Sequence, residues 1–318
     1  MSFLKKGNRL KNIISKALHT HAYMLPKKYK IYWVCLAMVM VNIVSAQDLE
    51  PRRWTPLPEG TTILGIGYGH ISGEVGFDPV LEMEDGKVKR DYLVMNYTHY
   101  FSLAGKLMRF DALVPFQKVK WDGLLSGEQA STQRNGMGDP RLRLSINLMD
   151  VSKKNSNTVV GAAIAVNVPW GEYYEEKLLN IGSNNYTIRP QIGVVHTRGP
   201  WSYELTGSIF YFTDNDNFYY GNRLEQKPFY SAQAHLIRVF KPGIWGSLSA
   251  GYGQGSASKI NSESINDERE GFISGLSFGI PVAPSQGLKF SYIWTKTKTQ
   301  IVTISQTNTF ALSWSVHF

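Results

Sequence analysis

Residues 47–318 hold five histidines, His70, His99, His196, His235 and His317, and the chemistry to ask of them first is acyl hydrolysis. That reaction needs a serine, a histidine and an Asn or Asp that orients the imidazole. None of the five falls into such a pattern on neighbouring strands facing the same side. His235 shares a strand face with Ser231 and Gln233 and reads as a polar wall residue; His317 lies next to the final Phe318. Metal chemistry fares no better. The one cysteine, Cys35, sits in an apolar N-terminal run, and no His pair has ligand spacing. Asp214 and Asp216 in TDNDNF resemble the start of a calcium loop, but the glycine and distal glutamate are missing at the required offsets. The glycines of GIGYGH and GYGQG precede no helix that could receive a phosphate, and read as strand bends. No catalytic residue, metal or cofactor is therefore expected.

The charges are more informative. Arg109, Asp111, Arg141, Arg143, Arg189, Glu204 and Lys289, with Gln191, Gln233 and His235, occupy alternate positions whose intervening residues are apolar. In MRFDALVPF, Met108, Phe110, Ala112, Val114 and Phe116 oppose Arg109 and Asp111. In LRLSINLM, Leu142, Leu144, Ile146 and Leu148 oppose Arg143, Ser145 and Asn147. In FYSAQAHLIRVF, Tyr230, Ala232, Ala234 and Leu236 oppose Ser231, Gln233 and His235. A soluble barrel or sandwich turns its apolar side inward. Strand after strand with charges and amides on one face suits a wet lumen enclosed by an apolar, lipid-facing exterior. Five of these lumenal charges are basic and two acidic, so the lumen is expected to be mildly cationic and to favour anions. The alternative is that Arg109–Asp111, Arg143 and Glu204 form ladders that simply fill the barrel.

The elements that carry these faces recur twelve times between residues 61 and 318. Long connections (72–88, 122–137, 171–185, 214–228, 257–269, 298–306) alternate with short ones (103–106, 151–157, 198–200, 241–243, 283–287). This predicts an all-β fold: a closed antiparallel transmembrane β-barrel of about 12 strands, with both termini on the short-turn side. Aromatic residues make up 13% of the chain. Tyr68, Trp121, Trp170, Trp201, Trp245, Trp294 and Trp314 are expected in the interfacial girdles.

The last strand, TNTFALSWSVHF, puts Phe310, Leu312, Trp314, Val316 and Phe318 on every second position. It resembles the C-terminal signal through which bacterial outer-membrane proteins are passed to the barrel assembly machinery, a case of β-augmentation. At the other end, Lys27, Lys28 and Lys30 precede the apolar run IYWVCLAMVMVNIV and a small-x-small ending at Val44-Ser45-Ala46. The run falls short of the roughly 20 apolar residues a spanning helix needs. It predicts a signal peptide over 1–46, with 1–23 read as an over-extended start, since Met24 lies just ahead of the lysines; an organelle presequence is the alternative. Residues 1–46 carry eight basic and no acidic residues, so removing eight from the 34 Lys+Arg leaves 26 against 25 Asp+Glu. The remainder is near neutral, which argues against a nucleic-acid partner. Residues 47–60, QDLEPRRWTPLPEG, are expected either at the periplasmic rim or inside the barrel as a plug.

Several segments, in order, resemble the outer-membrane proteins of the phenol degradation meta-pathway: PRRWTPLPEGTTILGIGYGH, FDPV, GMGDPRLRLSINL, VPWGEY, LNIGSNNYTIRPQIGV, FYFTDNDNFYYGN and AHLIRVFKPGIWGSLSAGY. The likeness thins after residue 252, where GQGSASKINSESINDERE lacks the expected Gly-Gly-Arg type of pattern. The resemblance implies an outer-membrane location, outer-membrane lipid around the barrel, and passive uptake of small hydrophobic or aromatic solutes, anions among them. The alternative is a sealed structural or adhesive barrel that works through its outer loops.

Overall fold

The computed structural model describes residues 49–75, 83–125, 128–177, 179–299 and 304–318; the predicted signal peptide lies outside them. Among the described residues there is no helix and there are seventeen strands. In chain order these are β1 (Thr62–Glu74), β2 (Met83–Leu103), β3 (Lys106–Leu125), β4 (Glu128–Met137), β5 (Arg141–Lys153) and β6 (Ser156–Asn167). They continue with β7 (Thr187–Arg198), β8 (Trp201–Phe212), β9 (Asn215–Phe218), β10 (Asn222–Gln226), β11 (Phe229–Lys241) and β12 (Ile244–Gly255). The last are β13 (Ser258–Ile260), β14 (Glu263–Ser264), β15 (Arg269–Ala283), β16 (Gln286–Thr299) and β17 (Ile304–His317).

The sheet closes on itself. β1 pairs on one side with β2 (Ile66↔Met95) and on the other with β17 (Ile66↔Trp314), and every ladder is antiparallel. β4 and β5 are two halves of one stave: β5 pairs with Met108–Leu113 of β3, and β4 with Phe116–Leu125. Counting them as one gives twelve staves. The break falls at Gly138-Asp139-Pro140, where proline removes a ladder donor. There the Asp139 carboxylate accepts from the Gly171 and Ser183 backbone N–H groups (3.0 and 2.8 Å) and from the Ser183 hydroxyl, tying the following loop to the wall.

The five short connections are all two-residue turns, set by the pairs Leu103↔Lys106, Lys153↔Ser156, Arg198↔Trp201, Lys241↔Ile244 and Ala283↔Gln286. At Ala104-Gly105 both φ angles are positive (50° and 73°), the geometry that matches strand twist in a tight hairpin. The long-loop end differs from the sequence expectation. The stretch 122–137 is not a loop: most of it continues β3 and β4 as a hairpin beyond the apolar belt. The stretches 214–228 and 257–269 hold β9, β10, β13 and β14, a separate four-stranded sheet over a small core of Phe218, Leu224 and Ile260.

Alternation sorts the wall. Outward positions on consecutive staves form an apolar row, Tyr203–Leu236–Leu248–Leu276–Tyr292–Phe310, each the register partner of the next. Leu276 keeps 56% of its surface exposed, which only hydrocarbon makes cheap. Replacing Leu276 by arginine is expected to cost about 2–4 kcal/mol in a lipid bilayer. Urea titration of the vesicle-refolded barrel measures it, and an unshifted midpoint would deny lipid contact there. The girdle expectation needs correcting at two positions. Trp121 is buried with Val75, Val88 and Val119 in the part of β3 beyond the belt, and Trp245 points inward across Gly279. Both have inward parity on their strands, which outweighs nearness to a strand end. The β1 glycines are not bends either: a Cβ at Gly65 would meet the Asn96 side chain and one at Gly69 the Tyr92 ring, so they make room.

Candidate functional site

The inward face begins with the row Thr98–Asp111–Arg143–Ala165–Arg189, each residue the register partner of the next on β2, β3, β5, β6 and β7. Phe210 and its partner Phe229 extend it on β8 and β11. Arg143, Arg189, Gln191, Glu204, Gln233 and His235 are all buried, although their strand neighbours Leu142, Leu144, Ile188, Ile192, Tyr203 and Leu205 are exposed to the outside. Arg109, Asp111 and Arg141 share the lumenal parity and are largely covered. Lys289 also has this parity, between outward Leu288 and Phe290; its side chain is open to solvent, and its charge lies within reach of the Arg109 guanidinium.

What covers the cluster is the chain's own residues 49–60. Leu49 reaches β15, where a Cβ on Gly275 would stand 3.1 Å from its Cδ1. The Arg52 guanidinium lies 5.3 Å from the Trp245 ring on β12. Trp54 then lands on β6 and β7, across from these. Its indole is 3% exposed and rests on Gly161 and Gly193, which are register partners; a Cβ at either would collide with the ring. Val159, Val195 and Ala163 complete the seat. The indole N–H donates to Thr206 Oγ1 (2.7 Å), and the Arg143 guanidinium covers the ring at 5.2 Å. The strand of chain from Leu49 to Trp54 thus crosses the lumen before Gly60 donates to the Tyr100 carbonyl at the short-turn end.

Electrostatics hold it there. Glu204 is 1% exposed, and its two oxygens accept from the backbone N–H groups of Arg52 (2.7 Å) and Trp54 (2.5 Å). A net contribution of about 1.5–3 kcal/mol is usual for each hydrogen bond to a charged group. Glu50 receives Arg141 (2.8 Å) and pairs with Arg53. Arg109 donates to Asp111 Oδ1 through Nε and Nη2 (2.8 and 2.6 Å) and to the Arg53 carbonyl (3.2 Å), while Thr98 donates to the same Asp111 oxygen (2.7 Å). Burial lowers the Arg52 pKa from its ordinary value, with the Glu204 carboxylate working the other way. Six guanidiniums (Arg52, Arg53, Arg109, Arg141, Arg143, Arg189) face three carboxylates (Glu50, Asp111, Glu204), so the lumen carries positive charge beyond what its ladders neutralise.

His235 Nδ1 and Ser249 Oγ lie 2.7 Å apart on β11 and β12, a Ser–His contact. Both are buried on the lumenal side, away from lipid, and no carboxylate hydrogen-bonds this imidazole among the described residues. It is a polar wall contact. Parity located the wall residues, but it missed Trp54, Thr206, Gly161 and Gly193. An indole preceded by two arginines, and two glycines at inward positions of neighbouring strands, were the available signals.

The C-terminal residues lie elsewhere. Phe310, Leu312 and Trp314 face outward from β17, Val316 is partly covered, and Phe318 is 69% exposed at the short-turn rim.

A known structure shares this architecture. An outer membrane channel from Pseudomonas putida F1 superimposes with a TM-score of 0.75 at 21% identity, covering 85% of this chain and 100% of its own. The transport unit of the autotransporter AIDA-I from Escherichia coli gives 0.46 at 10% identity (86% and 95% covered). The Bordetella autotransporter BrkA β-domain gives 0.44 at 9% (82% and 100%). None of the curated proteins compared matches the chain. With its apolar belt and closed twelve-stave wall, the protein is a bacterial outer-membrane β-barrel. The family model described as "Putative MetA-pathway of phenol degradation" matches residues 71–312, and the chain belongs to that family.

Proposed function

We propose that the barrel is a passive outer-membrane channel for small hydrophobic or aromatic solutes, anions among them, and that residues 49–57 act as its plug. The carrying observation is the lumen itself. A wall built only to be filled would balance its charges, whereas this one keeps an excess of guanidiniums beside a segment held mainly by one indole and one carboxylate. Family membership supports the solute class, since aromatic nutrients must cross the outer membrane before they are degraded. The near-neutral charge of residues 47–318 supports lipid and small solutes, not nucleic acid, as partners.

Uptake of phenol and of sodium benzoate by liposomes carrying the purified barrel tests the reading. Flux above that of protein-free liposomes is expected, and flux equal to theirs would overturn it. Changing Arg141 and Arg143 together to glutamine is expected to weaken preference for the anion, read as the reversal potential across a benzoate gradient in a planar bilayer. The Trp54 seat favours a second reading, a sealed barrel acting through its outer loops. In that case no flux appears even when the segment is removed.

A further inference from the structure

Arg143 is the most unusual group in the wall. It is 2% exposed, yet none of its three guanidinium nitrogens donates a hydrogen bond within the protein. The closest carboxylate oxygen, Asp111 Oδ2, is 3.6 Å away and is itself without a hydrogen-bond partner. That distance is too long for a hydrogen bond. Asp111 is turned away because its other oxygen is held by Arg109 and Thr98. Buried charge with unmet donors is costly, and a native structure keeps it where something else completes the shell.

The surroundings say what that something is. Ala165 separates Arg143 from Arg189 on the same row and is the register partner of both. Two staves span about 10 Å, and only the covered methyl of Ala165 (2% exposed) lies between, close enough for both guanidiniums to share one anion. Aromatic rings flank the pair: Arg143 lies over Trp54 at 5.2 Å, and Arg189 over Phe210 at 4.5 Å, with Phe229 edge-on to Phe210 at 5.8 Å.

We infer that Arg143 and Arg189, across Ala165 and beside Trp54 and Phe210, form a lumenal binding site for an aromatic carboxylate. The carboxylate accepts from the guanidinium forks, geometry in which arginine outperforms lysine, and the ring packs against the aromatic flank. The inference rests on the channel reading for access to the lumen. Binding itself is measured separately.

The test is calorimetric titration of the detergent-purified, folded barrel with sodium benzoate, its neutral isostere benzamide, and sodium acetate. Benzoate is expected to bind at least about tenfold more tightly than either, the loss of the charged pair or of the ring each being worth about that factor. Arg143→Gln and Arg189→Gln are each expected to abolish the preference over benzamide, whereas Arg198→Gln, at a periplasmic turn, leaves it intact. Equal affinities for benzoate and benzamide in the unsubstituted protein would overturn the site without reliance on any variant's folding. So would an Arg143→Gln barrel that keeps the preference. Conductance measured on the same preparation separates the two claims. Benzoate binding without conduction sinks the channel and leaves the site, and conduction without benzoate preference does the reverse.

Discussion

Replacing Trp54 with alanine is expected to raise the ion current through a single reconstituted barrel several-fold. The indole is the largest buried side chain of a segment whose other ties are mostly polar. Truncating a fully buried tryptophan removes about 3–5 kcal/mol of packing, and its N–H bond to Thr206 is lost with it. A loss of about 3 kcal/mol moves the balance between seated and unseated segment by more than a hundredfold. The segment then keeps Leu49 and its polar ties: Glu204 to the Arg52 and residue-54 backbone N–H groups, Glu50 to Arg141, and the Arg53 carbonyl to Arg109. The converse change tests the same seat from the wall. Gly193→Val puts side-chain atoms where the ring now lies, and the same gain in current is expected. If both variants conduct as the unsubstituted protein does, the segment is not what limits the lumen.

The second large effect lies at the closure. A chain ending at Thr309 loses Phe310–His317, the register partners of Ile63 to His70 on β1. Two strand edges would then face hydrocarbon, each unpaired backbone group costing several kcal/mol. No folded barrel is expected in the outer-membrane fraction, read as loss of the heat-modifiable species on electrophoresis. Phe318→Ala separates closure from recognition. Phe318 is mostly exposed, so its loss changes the finished barrel little. We propose that this residue and the outward Phe310, Leu312 and Trp314 address the chain to the assembly machinery, and Phe318→Ala should therefore slow the appearance of folded protein while leaving its urea midpoint unchanged. Normal assembly kinetics would refute that role.

How much of this was legible beforehand depended on the range of each interaction. Strands show in the sequence where one face meets lipid, because Leu142, Leu144, Leu236 and Leu248 alternate with polar partners. The two-residue turns show because Ala104-Gly105 and Pro242-Gly243 carry their own backbone geometry. The β3–β4 hairpin past residue 121 was hidden, since beyond the apolar belt the outward positions Lys118, Lys120, Gln129 and Gln133 are polar while the apolar Val119 and Trp121 turn inward. Parity placed Arg143, Glu204 and Gln233 on the lumenal wall. It could not show that Glu204 accepts backbone N–H groups from residues about 150 positions earlier in the chain. Gly161 and Gly193 each looked like an ordinary weak strand position, and only their register makes them one seat.

Residues 47–318 contain no cysteine, so single-cysteine variants are clean probes of which face meets water. The most direct test of the account is the rate at which a charged, membrane-impermeant methanethiosulfonate modifies Gln233→Cys and Leu236→Cys in reconstituted barrels, with and without residues 47–57. The account predicts modification at 233, faster once the segment is removed, and none at 236. Modification at 236 with 233 inert in both forms would mean that water lies outside this wall and no aqueous path within it.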